Sequence, residues 1–286
     1  MSHGEEGREI LNTQKNVNIT VQASCVDLAD QARELAARLG LPMESPGCSP
    51  PDHIRSPDRD RLVLRLSEQG LELVKPDDPK LSGAVRVDFT AGHSAFRRKQ
   101  QKKELLLRAV GGKGGGILKI IDATGGLGRD SFLLAAAGHQ VRIFERQPVV
   151  AALLADGLER AAAHPETAEI CQQMRLCGGD AVPALQAMQR DGGGKGIDVV
   201  YLDPMFPERR KSALVKKELQ LLQLLAETDA TPTGLLEAAL ETVAHRVVVK
   251  RPLKAPFLTA RSPSHSLAGK TVRFDVYRVC SLSRDR

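Results

Sequence analysis

The segment GILKIIDATGGLGRDSFLLAAAGHQVRIFE, residues 116–145, decides the fold. GILKIIDA is apolar apart from Lys119 until it reaches Asp122, as a strand buried on both faces would be. Thr124-Gly125-Gly126-Leu127-Gly128 is a turn, and RDSFLLAAAG reads as a helix that ends at Gly138. QVRIFE then alternates as a second strand. A strand, a helix and a strand in 30 residues imply a parallel pair joined by a crossover.

The same alternation continues downstream. PVVAALLADGLERAAAH predicts a helix, MRLCG a strand, AVPALQAMQ a helix and IDVVYLD a strand. The helices SALVKKELQLLQLLAE and GLLEAALETVA follow, and then the strand RVVVKR. SHSLAGKTVRFDVYRVC predicts a hairpin turning at Ala268-Gly269-Lys270. The expectation is an α/β fold of the Rossmann-like type. Its mostly parallel seven-stranded sheet carries helices on both faces and an antiparallel hairpin at one edge.

Upstream the pattern is different. VNITVQA predicts a strand, and CVDLADQARELAARLG a helix with Leu28, Ala32, Leu35 and Leu39 on one stripe, stopped by Gly40. The Pro- and Ser-rich residues 42–60 predict a loop, followed by short strands RLVLRL, LELVK and AVRVDF, the first two joined through Gln69-Gly70. These elements make a small N-terminal α+β domain at residues 1–95, with the α/β domain at 96–286.

The chain has 286 residues, 42% of them hydrophobic, which suffices for one large core or two modest ones. Its 41 basic and 35 acidic residues leave a formal charge of +6, compatible with a polyanionic partner. Cys25, Cys48, Cys171, Cys177 and Cys280 are scattered, without CxxC spacing and without clustered histidines, so neither a disulfide framework nor a metal site is expected. No apolar run reaches the ~20 residues of a membrane span. The polar start MSHGEEGREILNTQKN lacks a signal-peptide core, so the expectation is a soluble cytoplasmic protein.

In open α/β sheets ligands bind outside the carboxyl ends of the strands. Gly125 and Gly128 permit a tight turn there, and the helix opening at Arg129 offers unpaired N–H groups. Glu145 ends the next strand and suits the two ribose hydroxyls of an adenosine cofactor. The loop is not GxGxxG, because Ser131 stands where the third glycine would be. Asp122 and Asp130 add negative charge, which disfavours a pyrophosphate and favours the sulfonium and α-ammonium of S-adenosylmethionine (SAM). Asp180, after the third strand, could accept from the adenine amine or cap the following helix.

VVYLDPMFPERRKSALVKK ends the fourth strand on Asp203. Pro204 biases Asp203 toward extended geometry. A fixed carboxylate and nearby carbonyls can take both N–H bonds of an exocyclic amine and turn its lone pair toward a methyl donor. Phe206 offers a ring for an unstacked base. A plain turn with a buried phenylalanine is the alternative.

The DPMF run resembles the Asp/Asn-Pro-Pro-Tyr/Phe motif of amino-group methyltransferases, with Met205 in place of the second proline. DATGGLGRDSF, ERQPVVAALLADGL, VVYLDPMFPERRKSALVKKE, RVVVKRP and VDFTAGHSAFRRK together resemble the bacterial ribosomal RNA small subunit methyltransferase J family, from about Val17 to Val279. That resemblance implies SAM-dependent methylation of the exocyclic N2 of one guanine in 16S rRNA, free or in the small ribosomal subunit. It implies cofactor contacts at Arg129, Asp130, Glu145, Arg146, Asp180, Ala181 and Asp203, beside the loop candidates Asp122, Gly125 and Gly128. Candidate RNA contacts are Arg97, Arg98 and Lys99, then Arg209, Arg210 and Lys211, then Lys250 and Arg251. His93 and Phe96 are candidate pocket residues. Two other readings stand beside this one: a methyltransferase acting on DNA adenine or a protein side chain, and an RNA-binding assembly factor without catalysis.

Overall fold

A computed structural model of the chain describes residues 17–45, 60–78, 83–101, 104–111, 116–192, 196–204, 217–225, 232–243 and 245–279. The chain divides into two compact units. One comprises Met1–Val87, Gln147–Gly157 and Phe206–Thr228, the other Asp88–Arg146, Leu158–Met205 and Asp229–Arg286.

In the first unit, strand β1 (Val17–Ala23) leads through a short 3-10 turn into helix α1 (Ala29–Leu39). Ala32, Leu35, Ala36 and Leu39 form the buried stripe of α1. Gly40 ends the helix at φ +65°, a left-handed geometry that glycine adopts without steric cost. Strands β2 (Met43–Glu44), β3 (Asp60–Ser67) and β4 (Gly70–Val74) complete a sheet of order β2-β1-β3-β4. The β3–β4 hairpin turns through Glu68-Gln69, one residue earlier than the sequence predicts, because Ser67 pairs with Gly70.

The predicted third strand, AVRVDF, is a single bridge between Leu73 and Val85. Val85, Val87 and Phe89 still alternate inward, each at most 3% exposed. The period-2 burial is that of a strand, but Asp88 ends the pairing. Its carboxylate accepts from Thr90 N–H at 2.8 Å and Ala91 N–H at 3.2 Å, turning the chain away.

Helix α2 (Gly92–Lys99) and helix α3 (Leu105–Val110) follow, neither anticipated above. Then come β5 (Lys119–Asp122), α4 (Arg129–Ala136), β6 (Gln140–Ile143), α5 (Pro148–Ala162), α6 (Ala168–Gln172), β7 (Met174–Leu176), α7 (Ala181–Arg190) and β8 (Val199–Leu202). The remaining elements are α8 (Lys217–Leu225), α9 (Pro232–Thr242), β9 (Arg246–Pro252), β10 (His265–Ala268) and β11 (Val272–Arg278). Among the described residues no helix is long and apolar enough to cross a membrane.

The seven-stranded sheet has the order β10-β11-β9-β8-β5-β6-β7. Strands β7, β6, β5, β8 and β9 are parallel, and β11 and β10 add the antiparallel edge. The order reverses between β5 and β8, so the crevice for a ligand opens at their carboxyl ends. Strand alternation sorts the two faces. Ile121, Val200, Leu202, Val247 and Val249 pack with Leu185 of α7 and Leu236 and Ala239 of α9. Tyr201 and Lys250 project to the opposite face, where α4 lies and where Phe132 stacks on Phe89 with ring centroids 4.6 Å apart.

Candidate active site

The glycine loop is held from both sides. Gly125 donates to Phe144 O at 2.8 Å. A Cβ on Gly125 would lie 2.4 Å from Ile143 Cγ2 and 3.1 Å from Phe144 O. Gly126 and Gly128 take φ of +52° and +72°, and Gly126 N–H donates to Glu145 Oε2 at 2.7 Å. Part of the Glu145 carboxylate thus closes the loop.

Asp122 sits beneath the loop, 1% exposed. It accepts from the Ser131 hydroxyl at 2.5 Å and from Thr124 N–H at 3.1 Å. A hydroxyl at this helix position ties the loop to β5, which a third glycine could not do. Burial pushes the Asp122 carboxyl up to about 7, against those hydrogen bonds, with repulsion from Asp130 and Asp203 adding to it.

The unfolded carboxyl titrates near its ordinary ~3.9. Stability contributed by protonated Asp122 is therefore full below about pH 4 and is lost as the pH rises through 7. Asp122→Asn keeps the acceptor for Thr124 and removes the charge. The Tm of this variant minus that of wild type is expected to grow by a few degrees from pH 4 to pH 7 and then level off. A difference that is constant with pH would contradict this protonation.

Four charges meet where β8, β9 and α4 converge. Asp130 Oδ2 accepts from Tyr201 Oη at 2.6 Å and from Lys250 Nζ at 2.8 Å. Asp130 Oδ1 accepts from Arg97 at 2.6 Å. Lys250 Nζ also donates to Asp203 Oδ2 at 2.8 Å, while Arg97 holds Glu104 through two bonds of 2.9 and 3.0 Å. The register pairs Leu202 with Val249, so Asp203 and Lys250 stand side by side one step beyond. Asp203 N–H donates to Thr124 Oγ1 at 2.6 Å, tying the end of β8 to the glycine loop.

Burial works against ionisation of Asp130, but Lys250 and Arg97 outweigh it and hold the carboxyl well below the usual range. Burial pushes the Asp203 carboxyl up; Lys250 pulls it down and Asp130 opposes that pull, leaving it raised. The negative charge read from the loop is therefore compensated by Lys250 and Arg97. A bare acidic surface is not what favours a cationic ligand here.

The other candidates fall in different places. Asp180 caps α7 through Val182 N–H at 2.9 Å, and Ala181 is 2% exposed. Arg129 is half-buried at the start of α4 and Arg146 is exposed. Arg98 bonds to the Glu166 carboxylate at 2.6 Å, Arg251 is buried against Pro256 O at 2.7 Å, and Lys99 is exposed. Phe96 is 64% exposed. The side chain of His93, and Phe206, Arg209, Arg210 and Lys211 entirely, lie outside the described residues. Sequence reasoning missed Thr124, Tyr201 and Glu104. The one available signal was Tyr201, since only two tyrosines occur in the chain and this one sits in a buried strand.

The sheet order, the glycine loop at its switch point and the acids at successive strand ends define a SAM-dependent methyltransferase. The model of the SAM_MT family of SAM-dependent methyltransferases matches residues 52–279. The chain belongs to the ribosomal RNA small subunit methyltransferase J family. A member from Pseudomonas paraeruginosa strain PA7 is 46% identical over 268 residues, covering 92% of this chain and 96% of the relative. One from Nitrosococcus oceani is 45% identical over 262 residues, covering 91% and 98%. The crystal structure of a SAM-dependent methyltransferase from Neisseria gonorrhoeae is 30% identical, with TM-score 0.67, over 92% of this chain and 96% of that one.

The residues present fit SAM. Glu145, Asp180 and Asp203 follow β6, β7 and β8 and carry carboxylate oxygens that could accept hydroxyl and amine hydrogens. Gly178 and Gly179, at φ +65° and +73°, have nothing within 4 Å of where a Cβ would stand, leaving open backbone after β7. Gly125→Ala forces the loop off Ile143, a shift costing about 1–3 kcal/mol. Titration calorimetry should show SAM affinity reduced about tenfold or more. Unaltered affinity would place the cofactor away from this loop.

Proposed function

We propose that the protein transfers the methyl group of SAM to the exocyclic N2 of one guanine in 16S rRNA, with Asp203 orienting the acceptor amine. The observation that carries the role of Asp203 is its fixation. Its backbone is tied to the loop through Thr124 and its carboxylate to β9 through Lys250. Its side chain stays 39% exposed, so a base can reach it.

Bound SAM supplies an electrophilic methyl on a positively charged sulfur. Asp203, with a carbonyl at Asp203 or Pro204, accepts the two N–H bonds of the guanine amine. This draws electron density onto the nitrogen and fixes the direction of its lone pair. The methyl would pass to the amine nitrogen as its bond to the sulfonium breaks, leaving a neutral thioether. The amine then sheds one proton through Asp203 to water. The contribution is positioning and electrostatics.

Phe206 is the ring that would stack the base, and Arg209, Arg210 and Lys211 the cations that would meet phosphates. Among the described cations, Lys99 and Lys254 are exposed, whereas Arg97, Arg98 and Arg251 hold internal partners. In cells lacking the gene, nucleoside mass spectrometry of 16S rRNA should show one N2-methylguanine lost, restored by the wild-type gene. Unchanged 16S rRNA, with methyl lost from DNA or a protein, would move the reading to another acceptor.

A further inference from the structure

We propose that Lys250 is a positioning residue for methyl transfer, acting through Asp203. This rests on the role given to Asp203 above. The Lys250 ammonium lies 2.8 Å from both Asp130 Oδ2 and Asp203 Oδ2. Two of its three N–H bonds are directed to carboxylates from two other elements, and its side chain is 26% exposed. A lysine on an open face keeps its charged head mobile in solvent. This one is held from both sides.

The bridge does two things. It fixes the rotamer of Asp203, whose carboxylate has Lys250 as its side-chain partner among the described residues. It also supplies the positive charge that lets Asp203 remain an acceptor beside a second carboxylate. Among the described residues, the groups facing Asp203 are Lys250 on β9, Asp130 on α4, Tyr201 on β8, Asp122 on β5 and Arg97 on α2. Of the two cations, Lys250 is the one in contact and the stronger influence. Without it, among the described residues, Asp203 faces Asp130 with Arg97 alone to offset the repulsion, and the carboxyl holds its proton to higher pH. A protonated carboxyl presents a hydrogen to the amine and loses its ability to orient it.

Lys250 lowers the titration of Asp203, so its removal moves the acid limb of kcat toward higher pH. Two variants remove the charge. Lys250→Met removes the hydrogen bonds as well. Lys250→Gln keeps N–H donors for both carboxylates and so preserves the fold should the Met variant not fold. In either, kcat is expected to fall about tenfold or more at the acid end of the profile and to recover toward the wild-type value at the alkaline end, the acid limb having moved upward. SAM affinity is expected to change far less. A role in folding alone would lower kcat equally at all pH values, and that result would overturn the proposal.

A second readout needs no substrate. The carboxyl ¹³C resonance of Asp203 in the free protein, assigned with Asp203→Asn, should titrate about one unit or more higher in Lys250→Gln than in wild type. An unmoved titration overturns the role of Lys250. A moved titration, in a protein whose wild type transfers no methyl to guanine N2, sinks the reading of the reaction and leaves the Lys250–Asp203 coupling standing.

Discussion

Asp203→Ala is expected to lower kcat roughly 10²–10³-fold, the scale on which loss of one preorganised hydrogen-bonding group acts on a developing charge. The substitution removes the acceptor for the guanine amine and leaves its surroundings in place. The backbone N–H at residue 203 still donates to Thr124 Oγ1, so the end of β8 stays joined to the glycine loop. Lys250 keeps Asp130, so no buried cation is stranded. For the same reason SAM affinity should fall far less than kcat, separating orientation of the acceptor from binding of the donor. Single-turnover methyl transfer with saturating SAM measures the first and titration calorimetry the second. Normal turnover in the variant would contradict the role of Asp203. A parallel loss of both would make Asp203 a cofactor ligand first.

The second large effect falls on stability. Asp130→Asn removes the anion shared by Arg97 and Lys250 while sparing an acceptor for Tyr201. Breaking a buried pair from one side costs about 3–5 kcal/mol, and here the lower figure applies because each cation retains a second carboxylate, Glu104 or Asp203. At about 2–4 °C per kcal/mol, Tm at pH 7 should fall roughly 6 °C or more. The pH dependence has a definite sign. The Asp130 carboxyl is depressed in the fold, so its contribution is present above its unfolded value of ~3.9 and is lost as pH falls through the lower folded value. The gap between wild type and variant should persist at pH 7 and narrow below about pH 4. A gap independent of pH would show that Asp130 acts by packing.

The large sheet was readable because its central strands are buried on both faces. Lys119–Asp122 and Val199–Leu202 are short apolar runs with helices between them, and few folds accommodate that order. Helix α2 was hidden for the opposite reason. Among its described side chains the buried one is Ser94, at 5%, while its one large apolar residue, Phe96, faces solvent. No hydrophobic stripe existed to be found.

The site divides in the same way. Asp203 and the glycine loop stood out because each is a local departure from its surroundings: an acid ending an apolar strand, glycines at a βα turn. The Lys250 bridge was invisible, since Asp130 and Asp203 lie 120 and 47 residues away in the chain. In one dimension Lys250-Arg251 is a basic cluster. Only the pairing of β8 with β9 places Lys250 beside Asp203, and only strand alternation turns it and Tyr201 toward α4. Asp180 shows a third case. A helix-capping contact was foreseeable from its position, and that is where its carboxylate goes.

The reaction proposed above is transfer of methyl to guanine N2, with Asp203 orienting the amine. Its most direct test supplies methyl-labelled SAM with 16S rRNA from cells lacking this protein, both as free RNA and as small subunits, and digests the product to nucleosides. Label in N2-methylguanine on at least one substrate, lost with Asp203→Ala, is the predicted result. Label in any other nucleoside, or none on either substrate despite tight SAM binding, would contradict it.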